Sequence, residues 1–135
     1  MIKQERNRTV SNLNKTVPDT TEDLWNRYAA SWTSAPDIRD KELAFCLSEG
    51  ASYCDPVSEE LNAMELSSYM SRFQEAFPGH RFRINKVQEH HNKSLAQWEM
   101  LDQAGRAIQQ GVSHVVLSAD GKFQKISGFF DLPEN

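Results

Sequence analysis

The stretch Phe73-Gln74-Glu75-Ala76-Phe77-Pro78-Gly79-His80-Arg81-Phe82-Arg83-Ile84 holds the change of rhythm from which the fold is read. On its N-terminal side Leu66, Met70, Phe73 and Phe77 form one stripe at helical spacing, and Asn62 with Glu65 three residues on is a capping-box pattern. Pro78-Gly79 stops that helix. Beyond Gly79 the period near 3.6 gives way to short alternating segments with β-branched and aromatic residues. Residues 81–92, 95–102, 107–119 and 122–131 read as four strands, with turns near Asn92-Lys93, Ala104-Gly105 and Asp120-Gly121. Three hairpin-like connections predict an antiparallel sheet.

Upstream, Trp25, Tyr28, Ala29 and Trp32 recur at i, i+3, i+4 and i+7 behind the capping cluster Asp19-Thr20-Thr21, which predicts a first amphipathic helix. Ser34-Ala35-Pro36-Asp37 opens a second, expected to run through Leu43 and Leu47 and to stop at Gly50. Residues 51–55 are too few for another helix, and Asp55 before Pro56 favours extended backbone, so a short strand is expected there, followed by a loop over 56–61. Three helices followed by a meander give an α+β fold, with the helices on one face of a curved antiparallel sheet. Gly111 and Gly128 fall inside strands, where a bend, a bulge or a close approach explains a glycine. A sheet so curved can leave a hollow under the helices, either filled by side chains or open to a small molecule.

The chain of 135 residues is 39% hydrophobic, which predicts one domain, placed at 20–132 behind an arm at 1–19. Its formal charge of −4 is the wrong sign for a phosphate-binding surface, and no nucleic-acid partner is expected. Residues 1–17 carry +3 from Lys3, Arg6, Arg8, Lys15 and Glu5, which suits a solvated arm or contact with an anionic surface. The longest apolar run, Leu43 to Leu47, is far below the roughly 18 residues of a membrane span. No secretory leader pattern opens the sequence, so a cytoplasmic location is expected. Cys46 and Cys54 lack a nearby histidine at metal-ligand spacing and read as reduced core residues. Neither a phosphate-binding loop nor a nucleophile elbow occurs, so no nucleotide cofactor is expected.

A few residues could carry chemistry. Asp55, between apolar strand residues and a proline, either caps the turn or is a sheltered carboxylate able to accept a proton. Tyr28 and Trp32 share a helix face, which is either core or the wall of a ligand site with two polar handles. His90 and His91, as successive strand residues, point to opposite faces and cannot chelate one ion without a bulge, so no metal is expected. At most one of them faces a cavity. His80 belongs to a turn, and His114 is ambiguous.

The order of Trp25-Asn26-Arg27-Tyr28-Ala29-Ala30-Ser31-Trp32, Tyr53-Cys54-Asp55-Pro56, Phe77-Pro78-Gly79-His80, His90-His91-Asn92, Trp98, Gly111, Asp120-Gly121-Lys122 and Ile126-Ser127-Gly128-Phe129-Phe130 resembles a SnoaL-like protein of the nuclear transport factor 2-like superfamily. The resemblance covers about residues 21–131. It implies a cone-shaped α+β fold in which three helices and a curved sheet enclose a pocket, often in a dimer that pairs sheet surfaces. Members include polyketide cyclases, ketosteroid isomerases, epoxide hydrolases, dehydratases and non-catalytic binding domains, and the fold does not choose among them. Residue by residue, Asp55 matches the steroid isomerase's general base and Tyr28 its phenolic oxyanion donor. Ser113 stands where that enzyme has a protonated aspartic acid.

The expectation is therefore a pocket protein without cofactor or metal, forming a homodimer and binding a small hydrophobic molecule. It either catalyses proton transfer, isomerisation or cyclisation, or serves as a binding or interaction module. Asp55 and Tyr28 would be catalytic, and Ser113, Trp32, Phe73, His91, Trp98 and Leu117 would line the substrate site. Strand alternation puts Ser113 on one face with Gln109, Gly111, Val115 and Leu117.

Overall fold

The structure, a computed structural model, describes residues 20–133, so the arm at 1–19 lies outside the described residues. Three helices, α1 (Thr21–Ser31), α2 (Pro36–Cys46) and α3 (Ala63–Ala76), roof a sheet of six strands. The strands are β1 (Leu47–Asp55), β2 (Ser58–Leu61), β3 (Arg81–His90), β4 (Lys93–Leu101), β5 (Ala107–Leu117) and β6 (Phe123–Phe129). Local chemistry explains the helix ends. Thr20 accepts a hydrogen bond from the Asp23 amide at 3.0 Å, and Asn62 and Glu65 form both halves of the capping box. Pro36 opens α2 at the position where its missing N–H costs nothing.

The roof is tied together by polar contacts as well as by its apolar faces. Arg27 on α1 grips Glu42 on α2 with two hydrogen bonds of 2.7 and 2.9 Å and lays its guanidinium over the Phe45 ring. Arg39, fully buried on α2, donates to Ser67 and Ser71 of α3 and to the Ser34 carbonyl. A buried guanidinium needs such partners, and they set how α3 lies on α2.

The strand order is β2-β1-β6-β5-β4-β3. The β3 to β6 hairpins run antiparallel as expected, and irregularities at 84/86, 100/101 and 116/117 bend them. The seam between β1 and β6 is parallel, so the sheet is mixed. No hairpin joins those two strands, and nothing in their local pattern encodes their relative direction.

Two boundaries differ from expectation. Helix α2 ends at Cys46, and Leu47 is already extended and paired with Phe123. Gly50 does have positive φ, +78°, but within an irregular stretch of β1 where the register against β6 shifts between Leu47 and Ser52. A helix stop and a strand bulge ask the same conformation of a glycine, so its presence alone does not separate them. Residues 58–61, expected as loop, pair with β1 as the edge strand β2.

One end of the hollow is filled. Trp25 and Phe123 pack at 4.8 Å between ring centroids beside Val115, Ile126, Ala96 and Met70, and the Trp25 indole donates to Ser94 Oγ at 2.9 Å. Cys46 is fully buried here, and burial pushes its thiol up to about 12.

Candidate functional site

The other end of the hollow is open. A cavity of about 300 Å³ lies between α1, α3 and the concave face of the sheet, at the lower end of the roughly 300–1,000 Å³ usual for small-molecule sites. Six of the expected site residues line it: Tyr28, Trp32, Asp55, Phe73, Trp98 and Ser113. They come from five elements. Helix periodicity puts Tyr28 and Trp32 on the inner face of α1, and alternation puts Asp55, Trp98 and Ser113 on the inner face of β1, β4 and β5.

The two strand glycines explain how these side chains converge. A Cβ at Gly111 would stand 2.2 Å from the Trp98 ring and 2.7 Å from the Phe129 carbonyl oxygen, so the indole lies directly on bare backbone. From there its N–H donates to Ser113 Oγ at 3.0 Å. At Gly128 a Cβ would be 3.4 Å from Asp55 Cβ and 3.6 Å from both Ser113 Oγ and Tyr53 Oη, so three polar side chains meet over this one residue. Close approach, the third of the reasons a strand glycine can have, applies to both.

Asp55 is half-buried and held from every side. Its Oδ2 accepts hydrogen bonds from the phenols of Tyr53 at 2.6 Å and Tyr69 at 2.8 Å. Its Oδ1 accepts from the Val57 amide at 2.9 Å and from Ser58 Oγ at 3.0 Å. Four donors fill the roughly four lone-pair positions a carboxylate offers. The turn-capping and the sheltered-carboxylate readings therefore describe the same residue: one oxygen caps the Pro56 turn and the other faces the cavity tyrosines.

Tyr28 is the opposite case. Its hydroxyl is buried and, among the described residues, has no hydrogen-bond partner. Burial drives the phenol's pKa far above its ordinary value against the pull of the Trp32 indole, with the charge of Asp55 adding a smaller upward push. Tyr53 is pushed up by burial and then by Tyr28 and Asp55, and Tyr69 by burial and then by Asp55. All three phenols thus face the hollow as neutral donors. An unmade buried hydrogen bond carries a desolvation cost of about 1–3 kcal/mol, which a ligand oxygen at Tyr28 would relieve.

Two expected site residues lie elsewhere. His91 sits in the exposed β3–β4 turn with φ of 54°, its Nδ1 3.1 Å from that of His90. Alternation does not extend past His90, where β3 ends. Leu117 is on the correct face of β5 but at the filled end of the hollow, packed in the core beyond Val115. Periodicity gives a face, and depth along the strand depends on which side chains plug it.

Tyr53, Tyr69 and Phe82 are not among the expected site residues, yet all three line the cavity. Signals for the first two existed: Tyr53 is two residues from Asp55 on one strand, and Tyr69 is three residues from Leu66 and four from Phe73 on one helix. Among the described residues, no three His, Cys, Asp or Glu side chains converge to hold a metal. No helix there is long and apolar enough to cross a membrane.

Solved structures share this architecture. A SnoaL-like family protein from Agrobacterium tumefaciens C58 superposes with a TM-score of 0.74 at 22% identity, covering 81% of this chain and 95% of its own. A SnoaL-like protein from Jannaschia sp. CCS1 gives 0.67 at 12% identity, over 93% of this chain and 92% of its own. A nuclear transport factor 2-like protein of unknown function from Cytophaga hutchinsonii gives 0.62 at 14% identity, over 83% and 90%. No family model and no curated protein matches the sequence. The chain thus shares the fold of these proteins, the nuclear transport factor 2-like α+β arrangement of three helices over a curved sheet.

Proposed function

We propose that this chain binds a small, largely apolar molecule carrying a carbonyl or hydroxyl oxygen, and that Tyr28 and Asp55 act on it in proton transfer of the isomerase or cyclase kind. The observation that carries the reading is the Tyr28 hydroxyl, unpartnered among the described residues, in the wall of an aromatic cavity. A ligand oxygen there accepts a hydrogen bond from a neutral phenol, the donor chemistry that stabilises an enolate oxygen. Ser113 Oγ accepts from Trp98 and keeps its own proton to donate. Asp55 is the acceptor for a proton on carbon, once a substrate displaces Tyr69, the more exposed of its two phenol partners. The activities suggested for the Agrobacterium and Jannaschia proteins, isomerase and polyketide cyclase, belong to this chemistry.

We also propose that the chain pairs with a second copy of itself. Ile108 and Phe129, half exposed or more, point to the outer face of the sheet and suit an apolar contact between two copies.

A second reading is a binding module without turnover, favoured by the four hydrogen bonds that already occupy Asp55. One experiment separates the two. Aromatic ketones are screened for binding, and the bound ones are followed by NMR for deuterium uptake from heavy water at the carbon beside the carbonyl. Exchange that falls about 100-fold or more in Asp55→Asn is expected of a general base. Exchange unchanged in that variant removes Asp55 as base, and binding without exchange establishes the second reading.

A further inference from the structure

We infer that the hollow takes an organic cation, a methylated ammonium group on an apolar body, seated beside Asp55 among the rings of Trp32, Tyr53 and Tyr69. This rests on the reading that the hollow is a small-molecule site, and not on turnover.

The first observation is charge. Among the described residues lining the cavity there are two carboxylates, Asp55 and Asp131, and no Lys, Arg or His. Asp55 enters no ion pair among the described residues, where the pairs are Arg27–Glu42, Arg83–Glu99 and Arg106–Asp102. Its four hydrogen-bond donors are neutral groups, which solvate the carboxylate without cancelling its charge. An anion set in an aromatic hollow with no cation in its lining attracts one from outside.

The second observation is ring geometry. Trp32, Tyr53 and Tyr69 are mutual neighbours, with centroids 5.9, 5.7 and 5.9 Å apart and planes inclined at 57°, 73° and 54°. Tilted and edge-to-face contacts at these separations close the rings on one another, so what they offer a ligand is the ring surface left facing the cavity, and a cation is held where that surface is a π-face. Both phenols of this corner point at Asp55 Oδ2, so the carboxylate and the rings act on the same volume. Tyr69 already meets a cation: the Arg72 guanidinium carbon stands 5.7 Å from its centroid, from a side chain that does not line the cavity.

The third observation selects the kind of cation. With its lone-pair positions taken, Asp55 has no acceptor to spare for the N–H groups of a primary ammonium. A quaternary nitrogen has no N–H to satisfy and needs only the field of the carboxylate and the ring faces. Elsewhere in the cavity the Tyr28 hydroxyl remains available for an oxygen on the same ligand.

The test compares benzyltrimethylammonium with neopentylbenzene, its uncharged isostere with carbon in place of nitrogen. The reporter is intrinsic fluorescence, since all three tryptophans of the chain line the cavity. The expected result is binding about tenfold or more tighter for the ammonium, with benzylammonium weaker than its trimethylated form. In Asp55→Asn and in Tyr69→Leu the ratio between the charged and uncharged ligands is expected to shrink. The ratio in the unsubstituted protein decides alone if either variant fails to fold. Equal or tighter binding of neopentylbenzene, or of an aromatic ketone in the absence of any ammonium binding, overturns the cationic class and leaves the pocket reading standing. A ratio unmoved by Asp55→Asn overturns the part given to that carboxylate. If no ligand of the set binds, the pocket reading itself falls, and this inference with it.

Discussion

The two walls of the cavity treat their polar groups in opposite ways. On the helical wall, Tyr28 presents a buried hydroxyl with no partner among the described residues, held in place by ring contacts to Trp25 and Phe123. At the corner of β1 and β2, Asp55 has a partner for every lone-pair position, two of them phenols from different elements. The contrast separates a group whose chemistry is unfinished from one that is already part of the framework. A site needs both kinds: the satisfied carboxylate orients Tyr53 and Tyr69 and supplies charge, and the orphaned hydroxyl supplies the bond a ligand completes.

The largest effect should come from breaking the satisfied corner. Asp55→Leu strips the acceptor from the buried Tyr53 hydroxyl and from three further donors, and stability measured by urea denaturation is expected to fall by about 3 kcal/mol. A loss under about 0.5 kcal/mol would make the corner incidental. Alkaline pH probes both walls at once. Tyr28, Tyr53 and Tyr69 are all the tyrosines of the chain, and each has its pKa raised by folding. The unfolded chain therefore releases phenol protons first, at about pH 10. Stability should be level through neutral pH and fall above that point, by up to about 1.4 kcal/mol per pH unit for each of the buried Tyr28 and Tyr53. The Cys46 thiol, pushed up from 9.0 to about 12, begins the fall earlier, at about pH 9. Tyrosinate absorbance should rise with unfolding in one cooperative step. A gradual rise near pH 10 in the folded protein would show phenols in contact with water.

The smallest effect sharpens the contrast most. Tyr28→Phe removes a hydroxyl that makes no hydrogen bond among the described residues, so thermal and urea stability should hold or rise by up to about 1 kcal/mol. A clear loss of stability would mean that the hydroxyl has a partner, and the helical wall would then resemble the other.

Much of this was legible in the sequence because it is local. The cap at Thr20, the box at Asn62 and Glu65, the turns at Gly105 and Gly121 and the alternation through β3 to β6 are each decided within a few residues. The six lining residues followed from helix and strand faces combined with a family resemblance. What stayed hidden is set by distant chain. Gly50 serves a bulge and not a helix end because Phe123, far along the sequence, claims Leu47. The edge strand β2 exists only because it doubles back on β1; Leu117 lies at the filled end of the hollow, and His91 falls in the turn beyond the end of β3. The phenol clamp on Asp55 needs Tyr69 from a helix that follows the strand by way of a turn and an edge.

The placement of β6 has a consequence for the order of assembly. It is the sixth strand in sequence yet lies in the interior of the sheet, between β1 and β5. Until Phe123–Phe129 docks, the half bearing Asp55 and the half bearing Ser113 have no common edge, and both flanking strands expose unpaired amides and carbonyls. These contacts span long stretches of chain, so the cavity should be among the last features to form. A ribosome releasing this polypeptide would hold two sticky fragments until the final strand closes the gap.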